Sequence, residues 1–235
     1  MGSRKQASGG GTFVLVGGNE FGLGLAELDA RLLADSGADE VVVIPAAAAF
    51  EHPERVVARA AAHFGELGAT VRGLEVLHRT EADAAEHAEA VRAARFVYLT
   101  DGSPLHLRSV LKDSALYDAL LASYHGGGVL AASGAGATVL CDPMVDPRGG
   151  AYTVGLGVVR NLAVFPYHGT AADHLRERSV DLLPAGATLV GVDEETALVR
   201  APDGAWSVAG AGHVTLYGSE GAVAHEAPEG ISGLP

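Results

Sequence analysis

Between Thr12 and Ser133 the sequence alternates short apolar, β-branched runs with longer stretches whose apolar residues recur at helical spacing. Thr12–Val16 predicts a first strand ending at Gly17-Gly18, and Leu23–Ala34 a helix. Glu40–Pro45 predicts a buried strand. Pro53 opens a helix running to about Leu67, because a missing N–H costs nothing in a first turn, and Gly68 stops it. Thr70–Leu77 and Arg95–Thr100 read as strands around a helix over Ala82–Ala94. Leu105–Tyr124 reads as helical with a break near Asp113-Ser114. Val129–Ser133 is a buried strand that runs into Gly134-Ala135-Gly136-Ala137. This order imposes βαβ crossovers. The expected fold is therefore α/β: a three-layer α/β/α, doubly wound, mainly parallel sheet.

From about Thr188 the rhythm changes. Thr188–Val192, Thr196–Arg200, Trp206–Ala209 and His213–Tyr217 are short strands without helices between them, and Pro202-Asp203-Gly204 marks a tight turn. They are expected as a C-terminal antiparallel edge of the same sheet. Residues 1–11 are expected as a flexible lead-in, 12–218 as a single α/β domain, and the Gly/Glu/Pro/Ala-rich 219–235 as a loose tail.

A chain of 235 residues can bury a sizeable core. No run reaches membrane-spanning length without glycine or charge, and the glycine-rich start has no apolar segment behind it. Neither a membrane partner nor a secretory leader is expected. The lone Cys141 excludes an internal disulfide and fits a reducing cytoplasm. With 29 acidic against 16 basic residues, a formal charge of −13 and no basic stripe, nucleic acid is not an expected partner.

Ligands of open α/β sheets bind beyond the carboxyl ends of the strands. Three segments fall there: Asp101-Gly102-Ser103, Ser133–Ala137 and Tyr167-His168. A strand, a tight small-residue turn and a helix form the setting of a nucleophile elbow. It lifts one side chain into the site and aims free helix N–H groups at a developing oxyanion. Other patterns lead nowhere. Ser109-Val-Leu-Lys112 lacks the companion motifs of β-lactamases, and Gly17–Gly22 lacks the glycine spacing that cradles a pyrophosphate. His168, Asp173 and His174 do not share one helical face, so no metal is expected, and no cofactor either.

Five segments occur in an informative order. They are Val41–Pro45 with small residues after it, Asp101–Lys112, Gly127–Met144 continuing through Gly150, Gly155-Leu156-Gly157 followed by His168, and Gly191–Ala197. On these segments the chain, from Val14 to about Tyr217, resembles the cyanophycinase and aspartyl dipeptidase family of serine peptidases. The resemblance implies a class I glutamine amidotransferase-like fold and a nucleophile within Gly-x-Ser-Ala-Gly-Ala. It also implies a histidine base after the next strand and an acidic residue further on. Carried onto this chain, these positions are Gly134, His168 and Glu194, with Asp193 as second choice for the acid. The backbone N–H groups of Gly102 and Ala135 become the oxyanion hole. Apart from the resemblance, Ser103, with His106 and Arg108 on the helix after Gly102, are candidate substrate contacts, the last two for a substrate carboxylate or else as surface residues.

The departure is at Gly134, which has no side chain to attack with, and this closes the acyl-enzyme route there. The other chemistries are Ser133 through a shifted turn, Cys141, and a water activated by His168 with Glu194. Cys141 also reads as a buried structural thiol. The expectation is a peptidase homologue impaired in serine chemistry that keeps a pocket for a small peptide or amino-acid-derived ligand. The alternatives are an active hydrolase using Ser133 or water, and a non-catalytic scaffold or regulatory subunit. A homodimer is the assembly that the resemblance implies.

Overall fold

The alternation of apolar runs becomes an alternation of elements. A computed structural model describes residues 10–218 and 221–235. The elements begin with β1 (Phe13–Val16), α1 (Ala26–Ser36), β2 (Glu40–Ile44), α2 (Pro53–Glu66) and β3 (Thr70–Gly73). They continue with α3 (Arg79–Ala82), α4 (Ala85–Ala93), β4 (Phe96–Leu99), α5 (Pro104–Leu111), α6 (Ala115–His125), β5 (Val129–Ser133) and α7 (Ala135–Leu140). Four two-residue strands follow: β6 (Cys141–Asp142), β7 (Met144–Val145), β8 (Tyr152–Thr153) and β9 (Val159–Arg160). Last come β10 (Leu162–Phe165), α8 (Asp173–Asp181), β11 (Thr188–Val192), β12 (Thr196–Arg200), β13 (Trp206–Gly210), β14 (His213–Gly218), β15 (Gly221–Glu226) and β16 (Gly230–Ile231).

The main sheet has eight strands in the order β16-β13-β12-β1-β5-β4-β2-β3, parallel from β1 to β3 and antiparallel beyond β1. Period-2 alternation distributes each strand between two cores. Phe13, Leu15, Val42, Ile44, Val97 and Leu99 face one side, packed against α4 to α7. Val14, Val16, Val41, Val43, Phe96 and Tyr98 face the other, packed against α1 and α2. The result is the three-layer α/β/α arrangement that the sequence predicts. Among the described residues no helix is long and apolar enough to cross a membrane.

Two expectations are corrected. The C-terminal strands do not form one edge: β12 and β13 extend the main sheet, whereas β11 and β14 join β10 and β15 in a separate sheet ordered β10-β11-β14-β15. The cause is burial on both faces of β11. Val190 and Val192 enter the large core, and Leu189 packs with Val145, Ala163 and Phe165 on the opposite face, so β11 needs its own layer. The described part of 219–235 is not loose, since β15 pairs along β14, β16 pairs with β13, and Trp206 Nε1 donates to the Pro235 carbonyl at 3.0 Å. The lead-in lies outside the described residues except for Gly10 and Gly11, and Gly11 is held by its N–H to the Tyr124 carbonyl at 2.6 Å.

Candidate functional site

β5 ends at Ser133 and α7 begins at Ala135, which leaves one residue to reverse the chain. Gly134 does so with φ 48° and ψ −106°, a left-handed turn that raises its α-carbon above the sheet. The space above it is filled. A β-carbon placed on Gly134 would overlap the carboxylate of Asp101, which follows β4 on the neighbouring strand. Asp101 Oδ1 accepts the backbone N–H of Gly102 at 2.7 Å and that of Ala135 at 2.6 Å. The two N–H groups assigned to an oxyanion therefore converge on one oxygen, and that oxygen belongs to the protein. Gly102 is required where it stands, because φ is 142° and a β-carbon would run into the Ala47 carbonyl.

The second oxygen of the same carboxylate, Oδ2, accepts the hydroxyl of Tyr167. Tyr167 arrives from the end of β10 with φ 54°, its N–H donating to the Gly17 carbonyl at 2.6 Å and its ring filling the space beside Gly18. Burial, with the Asp101 carboxylate beside it, raises the phenol pKa and keeps it a donor. More left-handed residues stand on this rim: Asn19 (φ 52°), Phe21 (φ 67°) and Glu195 (φ 52°). Asn19 Nδ2 donates to Glu195 Oε1 at 2.6 Å, and Glu195 Oε2 accepts the Gly24 N–H at 2.7 Å. Each such conformation costs about 1–3 kcal/mol and persists only where the surroundings enforce it.

Beneath the elbow lies a second carboxylate. Glu20 is 4% exposed, accepts the Ser133 hydroxyl at 2.9 Å and lies 3.3 Å from a guanidinium nitrogen of Arg59. Burial raises its pKa above the ordinary value, and the nearby Asp101 charge adds to the rise. Ser133 itself is fully buried and already bonded to Glu20, so it is not presented for attack. Cys141 is fully buried at the start of β6, just past the end of α7, and burial pushes its thiol well up. Neither alternative nucleophile is exposed.

His168 is built into a different cluster. Its Nδ1 lies 3.3 Å from Asp193 Oδ1 and its Nε2 2.7 Å from the Tyr217 hydroxyl. Burial lowers its pKa, with Asp193 opposing. The neutral ring thus donates from Nδ1 to the carboxylate and accepts the phenol at Nε2. The carboxylate at His168 is therefore Asp193, and the first choice is corrected: Glu194 accepts from Thr170 Oγ1 at 2.9 Å instead. Of the three expected substrate contacts, none lines the cavities beside Asp101. Ser103 caps α5, His106 Nε2 faces the Leu77 carbonyl at 2.8 Å, and the buried Arg108 Nε has no partner among the described residues. Among the described residues no three His, Cys, Asp or Glu side chains gather as metal ligands.

Two cavities meet at the Asp101–Tyr167 bond, and Asp101, Gly102 and Tyr167 line both. One, of about 240 Å³, is walled by Val145, Pro147, Phe165 and Leu175, with Thr138 and Asp146. The other, of about 290 Å³, is polar, with Asn19, Glu20, Arg59 and Glu194. His168 lines neither. Sequence reasoning placed Asp101 and Tyr167 at the right end of the sheet but gave them no role, and it gave Glu20 none either. The only available signal was position, since both follow strands directly.

Comparison with known proteins is consistent with this architecture. The sequence matches peptidase family S51 over residues 13–207. It is 27% identical to a cyanophycinase of Trichormus variabilis over 219 residues, covering 86% of this chain and 72% of that protein. It is 26% identical to a cyanophycinase of Geminocystis herdmanii, covering 94% of this chain and 88% of that one. Among solved structures, a peptidase from an acI-B1 actinobacterium superposes with a TM-score of 0.86 at 30% identity, over 95% of this chain and 97% of that one.

Proposed function

The chain belongs to peptidase family S51, and from that membership we propose that it binds a small peptide or amino-acid-derived ligand without forming an acyl-enzyme. One observation carries the reading: the Asp101 carboxylate occupies the volume above Gly134 and takes both N–H groups of the oxyanion hole. Acyl transfer needs two things at this spot, a nucleophilic atom on the elbow and two free donors for the oxyanion. Glycine supplies no nucleophile, and the donors are already used. Asp101 does not stand in as the nucleophile, because its Oδ1 lies where the substrate oxygen would have to go. The neutral His168 faces Asp193 and Tyr217, so the expected base is engaged away from the elbow.

The test is labelling by a fluorophosphonate, read by intact mass. Gly134→Ser alone stays unlabelled, since the new side chain meets the Asp101 carboxylate. Gly134→Ser with Asp101→Gly frees both volume and donors, and labels roughly a hundredfold faster or more, the scale of one oxyanion-hole contact. Equal labelling of the two variants would remove the role given to Asp101.

A further inference from the structure

We infer that the cavity beside Asp101 takes a small apolar ammonium, a primary amine carrying a side group of leucine or phenylalanine character, in preference to an acidic ligand. The inference rests on the reading of this cavity as the ligand site and specifies what enters it. Its walls are apolar: Val145, Pro147, Phe165 and Leu175 face a space of about 240 Å³. That is below the ~300–1,000 Å³ of pockets for drug-sized ligands, so the occupant is small. Charge at one end is supplied by Asp101, and no lysine, arginine or histidine among the described residues lines the space.

The charge balance around Asp101 sets the sign of the ligand. Its carboxylate accepts three hydrogen bonds, from Gly102, Ala135 and Tyr167, all uncharged donors. A carboxylate offers about four acceptor positions, which leaves one for an incoming N–H. No cationic side chain among the described residues makes an ion pair with Asp101, and Arg59, which lines the adjoining polar cavity with it, is paired with Glu20. Glu20 adds its own charge when ionised, and Asp146 contributes another carboxylate at the cavity, this one paired with the exposed Arg148. The two charged side chains that line the space, Asp101 and Asp146, are both acidic, so an anion entering here meets like charge on its walls. An ammonium supplies the missing counter-charge while its side group covers the apolar wall.

Isothermal titration of the full chain with four probes tests this. L-phenylalaninamide is an apolar cation, N-acetyl-L-phenylalaninamide is neutral, N-acetyl-L-phenylalanine is an anion, and glycinamide is a cation without the side group. The expected order places L-phenylalaninamide first, roughly tenfold or more tighter than each of the other three. Asp101→Asn, checked for its fold by circular dichroism, abolishes that advantage. Binding of the anion as tightly as the cation, no binding of L-phenylalaninamide, or an unchanged preference in Asp101→Asn each overturns the inference. None of these outcomes bears on covalent labelling, so the claim about the acyl-enzyme is judged separately.

Discussion

Glu20 is 4% exposed beneath the elbow, with one hydroxyl and one guanidinium as partners, and burial raises its pKa from 4.5. Between the unfolded and the raised value, the folded state therefore holds a proton that the unfolded chain has released. Its contribution to stability is complete below the unfolded value and lost as pH rises through the raised one. Glu20→Gln copies the protonated form and keeps an acceptor for Ser133. It is expected to raise the thermal midpoint by a few degrees at pH 8, the scale of about 1 kcal/mol in a chain of this size. The difference should close as pH falls toward 4.5, and thermal melts of both proteins across that range check it. Asp101 teaches a different lesson at the same scale. Spacing placed it past the carboxyl end of β4 beside Gly102, but which way a side chain turns off a strand end cannot be read from spacing.

At the scale of elements, most of the fold was legible because long apolar runs and their punctuation agree. Glu40–Ile44, Val129–Ser133, Thr188–Val192 and Thr196–Arg200 form strands as predicted, and the break near Asp113-Ser114 separates α5 from α6. Among the elements that were not legible, β10 and α8 show why. β10 is only four residues long and is separated from β9 by Asn161 at φ 61°, so its apolar run resembles a loop. α8 is almost wholly polar, with only Ser179 buried, and shows no apolar stripe. In α2, Phe64 is fully buried and its ring meets Phe21, Phe96 and Tyr98. Phe64→Ala is expected to cost about 3–5 kcal/mol in urea unfolding, because the surrounding rings cannot collapse onto the gap. A loss below 1 kcal/mol would mean that this face repacks freely.

Over the whole molecule, the site is a junction of strand ends distant in sequence: β4 brings Asp101, β5 brings Gly134, β10 brings Tyr167, and the segment after β1 brings Asn19 and Glu20. The position of that junction followed from the α/β order, and its family from motif order. The division of the C-terminal strands between two sheets did not follow, because both sheets use the same short apolar strands. At this scale the central proposal is that Asp101, by accepting the Gly102 and Ala135 N–H groups, leaves no room for an oxyanion, and covalent labelling reads its consequence most directly. The unmodified chain, held with excess fluorophosphonate and weighed intact, is expected to keep its mass. A stoichiometric adduct, mapped to any residue of the Ser133–Ala137 turn or its surroundings, would contradict the account.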